Sequence, residues 1–414
     1  MTMSLDVDSL RSQFPALARQ QDGRPVVYLD GPAGSQVPVS VADAVSRYLL
    51  HTNSNRGAAS ATAVASDAVL ERAHSVFAAF VGAPDPRSIY FGANMTSLTL
   101  ACSRALAQNW QAGDEIIVSR LDHDANVTPW VLAAAERGVT VKHIDLHPED
   151  WTLDLDDYHR KLSDRTRLVA VGYASNATGT INPIKDIVQA ARRAGATTFV
   201  DAVHYAPHGR INVADLQCDF LACSAYKFFG PHVGIMYGRA DLLDDLRPYK
   251  LRPSTDQLPG KWMTGTQCHE GIAGAVAAVE YLADLSGQDR ERASLSERLD
   301  LSFARVSEHE QQLTRALLAG LKQISPLQIH GITEESALAH RAPTFSVTHA
   351  SRSPAELATE LAAEGIYGWA GNHYALPFTE TAGLEPGGTL RLGALHYNTV
   401  AEIDRSLKCL HRLV

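Results

Sequence analysis

The sequence is short of most features that mark specialised protein classes. Its 414 residues hold only five cysteines, Cys102, Cys218, Cys223, Cys268 and Cys409, without C-x-x-C spacing, so neither a disulfide framework nor a zinc cluster is expected. No apolar run approaches about 18 residues, which excludes a conventional transmembrane helix. The N-terminus carries Asp6 and Asp8 where a secretory signal needs a basic and then an apolar segment. A basic surplus is missing as well. With 37 Lys and Arg against 46 Asp and Glu, the net charge of −9 offers no field for nucleic acid or an anionic membrane surface. These absences point to a cytoplasmic protein with no nucleic-acid or membrane partner. What is present, 45% hydrophobic and 20% charged residues, suffices for a large buried core and a smaller companion domain.

From about Ser88 to Gly238, short β-branched runs alternate with helical patterns, the signature of a mostly parallel sheet with crossover helices. Strands are expected at Ser88–Phe91, Glu115–Ser119, Thr140–Ile144, Leu168–Tyr173, Thr197–Asp201, Phe220–Cys223 and Val233–Tyr237. Between the fourth and fifth, Asn182 can cap a helix that Pro183 opens and Gly195 stops; Ile184, Ile187, Val188 and Ala191 share one face. After Gly271 the texture changes. A small-residue helix (Ile272–Ala283) and a long helical pattern (Ser302–Ile324) lead to a capping box at Ser353-Pro354-Ala355-Glu356, whose helix Gly365 closes. A strand at Thr389–Gly393 and a helix from about Val400 finish the chain. The expected fold is α/β, with residues 20–285 as a large domain and 286–414, joined by 1–19, as a smaller α+β domain.

In open parallel sheets, ligands bind beyond the carboxyl ends of the strands. One expected strand ends in Asp201, with His204 just after it, and the next runs into Ser224-Ala225-Tyr226-Lys227. An acid and a lysine at adjacent strand ends suit a pyridoxal phosphate site: the lysine forms a Schiff base and the carboxylate keeps the pyridine nitrogen protonated. Taken singly, Asp201 reads as a turn or cap residue and Lys227 as solvated surface. The apolar neighbours in Ala225-Tyr226-Lys227-Phe228-Phe229-Gly230 imply instead a partly buried ammonium, costly without a purpose.

Wider motifs carry a resemblance. Tyr28-Leu29-Asp30-Gly31-Pro32-Ala33, Asn55-Arg56-Gly57, Asp122-His123-Asp124-Ala125-Asn126, Ser175-Asn176-Ala177-Thr178-Gly179-Thr180-Ile181-Asn182-Pro183, Val200-Asp201-Ala202-Val203-His204, Ser224-Ala225-Tyr226-Lys227 and Leu390-Arg391-Leu392-Gly393 together span most of the chain. They resemble those of fold-type I pyridoxal phosphate (PLP) enzymes of the class V aminotransferase group, similar to the group II cysteine desulfurase and selenocysteine lyase branch. The resemblance implies a seven-stranded-type sheet, pyridoxal 5'-phosphate as cofactor and no metal. Lys227, His123 and Asp201 become catalytic, with His123 stacked on the pyridine ring and Asn176 near its hydroxyl; His204 joins the cofactor contacts. Thr96 and Ser97, at a helix start, and Ser224 and Tyr226 would hold the phosphate, tyrosine standing where histidine is more usual. Thr266 would reach the phosphate from a neighbouring subunit, which implies a homodimer with shared active sites. Arg391 would anchor the substrate α-carboxylate; Ala33, Asn55 and Arg56 would line the substrate side.

One departure bears on the reaction. Desulfurases of this branch place a nucleophilic cysteine on a small-domain loop, because sulfur passes to a thiolate as a persulfide. The corresponding stretch here, 367–377, has Tyr374 at the cysteine position and Trp369 where an arginine is usual, and no cysteine lies between Cys268 and Cys409. Trp369, Asn372, His373 and Tyr374 would shape a substrate pocket instead. The expectation is a desulfurase-like lyase that eliminates a β-substituent from a small amino acid. A PLP-dependent epimerase or aminotransferase, and a non-catalytic accessory protein, are the alternatives.

Overall fold

The computed structural model describes residues 5–414; residues 1–4, assigned above to the smaller domain, lie outside them. Seven strands form the large sheet: β1 (Ile89–Gly92), β2 (Glu115–Ser119), β3 (Thr140–Ile144), β4 (Thr166–Gly172), β5 (Thr197–Asp201), β6 (Phe220–Ser224) and β7 (Gly234–Gly238). Their order is β1-β7-β6-β5-β4-β2-β3, and every pairing is parallel except the two made by β7. Alternate residues on each strand enter different apolar clusters, as the period of two requires. On β4, Val169 and Val171 join Phe77 and Phe80 of helix α1 (Ala61–Val81), while Leu168 and Ala170 join Leu98 and Cys102 of α2 (Met95–Leu106). Helices therefore cover both faces, and only the strand ends are left for chemistry.

Helix α3 (Ile184–Arg193) buries Ile184, Ile187 and Val188 against the sheet, a burial that contributes about 1.5–3 kcal/mol for each side chain. Its N-cap is Pro183, not Asn182 as the sequence suggested. The Asn182 side chain donates instead to the Gly172 carbonyl at 2.7 Å, tying the helix entrance to the end of β4. Gly195 does supply the left-handed stop, at φ 77°. Helices α4 (His269–Asp284) and α5 (Leu295–Leu321) lead into a four-stranded antiparallel sheet: β8 (Leu327–His330), β9 (Thr344–His349), β10 (Trp369–Gly371) and β11 (Thr389–Gly393), ordered β8-β9-β11-β10. Helix α6 (Pro354–Ala363), opened by the capping box of Ser353 and Glu356, and α7 (Val400–Leu413) cover it.

The N-terminal segment crosses the division expected at residue 19. Phe14 packs edge-on against Phe229 and Tyr281 in the large cluster, whereas Val27–Tyr28 pairs with Ile366–Tyr367 beside the smaller sheet. Short segments dock where their apolar side chains find cover, whatever their place in the chain. No helix among the described residues is long and apolar enough to cross a membrane.

Candidate active site

Strands β1, β2, β4, β5 and β6 all finish at one edge of the large sheet, and their ends wall a cavity. Asp201 closes β5 and Ser224 closes β6; Lys227 follows in a single helical turn; His123 follows β2, and Asn176 follows β4. Thr96, His204 and Tyr226 complete the expected residues that line it. The backbone of Asn94 comes so close to β7 that a Cβ on Gly234 would collide with it, so the start of α2 is pressed onto the sheet edge.

Burial tunes these groups. The Lys227 ammonium is pushed down to about 7, by desolvation and then by the Arg391 charge, with Asp201 opposing. Its Nζ donates to the Pro32 carbonyl and lies 4.9 Å from the centre of the Tyr226 ring. Desolvation raises Asp201 to about 6, opposed by the Val203 N–H at 2.8 Å and by Lys227. His123 is lowered to about 4, by burial and then by Lys227 and Arg391, so it is neutral near pH 7. Its Nδ1 accepts from the Ala125 N–H at 3.0 Å, which leaves Nε2 to carry the proton. His204 is also held neutral by burial, with Nε2 3.1 Å from the Thr344 hydroxyl.

Arg391 lies inside β11, opposite Ser346 and Trp369 of the flanking strands. It is buried and its pKa falls to about 9 through desolvation. One Nη donates to the Asn176 carbonyl at 2.8 Å, yet among the described residues no carboxylate lies within ion-pairing distance. Asn176 spans the two domains in turn, its Nδ2 donating to the His373 carbonyl at 2.8 Å while its Oδ1 is buried without a partner.

Several expected residues lie elsewhere in this chain. Ser97 turns its hydroxyl back to Asn94 Oδ1 at 3.0 Å, because Asn94 caps α2, and it lines a neighbouring cavity together with Thr266. Arg56 is exposed and paired with Asp67 at 3.1 Å, and Asn55 is exposed beside it. Ala33 follows Pro32, whose carbonyl Lys227 contacts, with its own N–H bonded to Asp30 at 2.7 Å. Asn372 accepts from the Tyr374 N–H at 3.1 Å; Tyr374 is 71% exposed, with its ring 5.4 Å from that of His123. Trp369 is exposed, and His373 is buried with Nε2 3.1 Å from the Thr389 hydroxyl.

Three residues were overlooked. Asn94 is the cap of α2, legible as Asn followed three positions later by Ser97. Asp122 holds the Gly172 N–H at 2.7 Å and the Asn126 amide at 2.8 Å, bracing the ends of β2 and β4; burial lifts it to about 7. Asp30 is lifted to about 6, by burial first, and its Oδ1 has no partner. Both acids sat inside quoted motifs without an assigned task.

The donor set suits pyridoxal phosphate. A buried amine of lowered pKa meets the aldehyde's need, a buried carboxylate the ring nitrogen's, and the orphaned Asn176 Oδ1 marks a polar contact still to be made. At the start of α2 the Met95 N–H is held by Ser224 and the Ser97 N–H by Asn94, which leaves the Thr96 N–H for an anion.

Known proteins point the same way. A family model described as Aminotransferase class-V matches residues 27–406. A probable cysteine desulfurase from Halalkalibacterium halodurans is 31% identical over 423 aligned positions, covering 99% of this chain and 98% of that protein. A cysteine desulfurase from Pectobacterium carotovorum subsp. carotovorum is 30% identical, with 100% of both chains covered. Among solved structures, the apo cysteine desulfurase of Thermococcus onnurineus NA1 superposes with TM-score 0.88 at 25% identity, covering 100% of this chain and 98% of that one. A cysteine desulfurase from Escherichia coli, in an S-sulfonic acid form, gives 0.83 at 26% identity, with 99% and 98% covered.

Proposed function

The chain belongs to the class V aminotransferase family, a pyridoxal-phosphate-dependent enzyme with fold-type I architecture, and from this premise we propose a desulfurase-like lyase that eliminates a β-substituent from a small amino acid. The observation that carries the reading is the 367–377 loop, which contains no cysteine and sets the Tyr374 ring beside that of His123. Sulfur cannot be carried as a loop persulfide where no thiolate exists.

Lys227 would hold the cofactor covalently, Asp201 its ring nitrogen, and Asn176 and His204 its polar edge, with His123 over the ring; Thr96, Ser224 and Tyr226 would take the phosphate. Bound there, pyridoxal phosphate supplies a sink for the electron pair left on the substrate's α-carbon when a proton departs. The protein's own work is binding and proton traffic. Arg391, buried and without an internal carboxylate partner, receives the substrate's α-carboxylate in its planar fork. Lys227 Nζ, its pKa lowered by burial and oriented by the Pro32 carbonyl, takes the α-proton and passes it to the departing β-substituent, and hydrolysis of the released enamine yields ammonia and the 2-oxo acid. Neutral His123 adds no positive charge beside Lys227 and Arg391.

A homodimer is part of this reading. Thr266 shares with Ser97 a cavity that Lys227 does not line, which suits delivery of the Thr266 hydroxyl to a second protomer's phosphate site.

The test is to load purified protein with pyridoxal phosphate and incubate it with a panel of amino acids. Release of ammonia and a 2-oxo acid with loss of the β-substituent is expected. Substrate recovered intact with deuterium at its α-carbon would replace this reading with epimerisation or transamination, and a protein that binds no pyridoxal phosphate would end it.

A further inference from the structure

We propose that Tyr374 is a positioning residue that clamps the His123 imidazole flat over the cofactor cavity, so that the loop which bears a cysteine in desulfurases serves here as a fixed aromatic brace. This rests on the functional reading above. The two rings lie 14° from parallel with centroids 5.4 Å apart. Apolar burial does not explain the placement, because Tyr374 is 71% exposed. The backbone does. His373 and Tyr374 are consecutive non-glycine residues in the left-handed region, at φ 57° and 56°, a conformation that persists only where its surroundings over-determine it. Here they do: the Asp124 N–H donates to the Tyr374 carbonyl at 2.6 Å and Asn176 Nδ2 to the His373 carbonyl at 2.8 Å. Both donors belong to segments that build the cavity, Asp124 adjoining His123 and Asn176 lying in its wall. The loop is thus registered against the groups it serves. His123 is gripped on two sides, by the Ala125 N–H at Nδ1 and by the phenol ring on its face, while its remaining surface meets the cavity, whose walls do not include Tyr374. A parallel aromatic pair prefers this offset geometry.

The experiment compares wild type, Tyr374→Ala and Tyr374→Phe. In cofactor-free protein carrying ¹³C-labelled histidine, NMR relaxation of the His123 ring is expected to show greater mobility in Tyr374→Ala and wild-type rigidity in Tyr374→Phe. Pyridoxal phosphate affinity, read by absorbance titration, is expected to fall about 3- to 10-fold in Tyr374→Ala, with a weakened visible circular dichroism band, and to be kept in Tyr374→Phe. Unchanged His123 mobility and unchanged affinity in Tyr374→Ala would overturn the clamp. So would a Tyr374→Phe variant as impaired as Tyr374→Ala, which would assign the work to the hydroxyl. Should even wild type take up no cofactor, the functional reading falls, and the NMR comparison alone decides the clamp.

Discussion

The floor and the mouth of the site are held by different means. On the floor, Asp201 and Ser224 terminate paired strands, and Lys227 sits one helical turn beyond; sheet hydrogen bonds set their positions and burial sets their pKa values. At the mouth, residues 372–374 belong to no strand, include two strained backbone positions, and are held by a few hydrogen bonds to the floor. On the reading proposed above, the floor would supply the groups that a carbanion reaction of this cofactor class needs, and the mouth the residues by which one such reaction differs from another. Precision would then come from the rigid element and identity from the loop registered to it.

Breaking the floor should cost most. Lys227→Ala is expected to lose at least about 10³-fold in turnover and to show no borohydride-fixed cofactor by mass spectrometry. Asp201→Ala should lower kcat by about 10²- to 10³-fold with KM little changed, read by steady-state kinetics. Arg391→Ala should raise KM by about 10- to 100-fold with a smaller loss in kcat, the signature of a lost carboxylate contact; if the last two variants behave alike, the separation of their roles is wrong. The pH dependence sharpens the point. Because the folded pKa of Lys227 lies near 7, below its ordinary value, the neutral amine gains population most steeply around pH 7 and is nearly complete about one to two pH units above it. Cofactor uptake by the empty protein, followed by absorbance, should rise through neutrality and level off above it; a continued rise toward pH 10 would show an unperturbed lysine. Trp369→Ala, at the exposed mouth, should have the smallest effect: less than about tenfold on the kcat/KM ratio between two amino acids, and within about 0.5 kcal/mol in stability by thermal melting.

Much of this was legible beforehand, in particular places. Glu115–Ser119, Thr140–Ile144, Thr197–Asp201 and Thr389–Gly393 form strands with the boundaries read from their β-branched runs, because turn residues stop them sharply. Asn182 misled because a good capping residue bonds across the fold when a nearer carbonyl, that of Gly172, is unsatisfied. Ser97 misled for a related reason: its hydroxyl and N–H were already claimed by Asn94, a local competition that position in a motif does not reveal. The carbonyl of Pro32 against Lys227 and the hydroxyl of Thr344 against His204 had no signal at all, since any residue carries a carbonyl and threonine is common on strands.

By itself the sequence determined most of the sheet strands and the pairing of an acid with a lysine at neighbouring strand ends, since local periodicity and turn chemistry are short-range properties, and its wider motifs carried the cofactor class by resemblance; the helix at Ala61–Val81 was not read from it. Only the tertiary structure decided how deeply those groups are buried, which carbonyl receives the amine, that a guanidinium from the smaller sheet lacks a carboxylate partner among the described residues, and that a loop far along the chain rests on His123. Such facts depend on desolvation and on contacts between segments up to hundreds of residues apart, and no local pattern of residues encodes them.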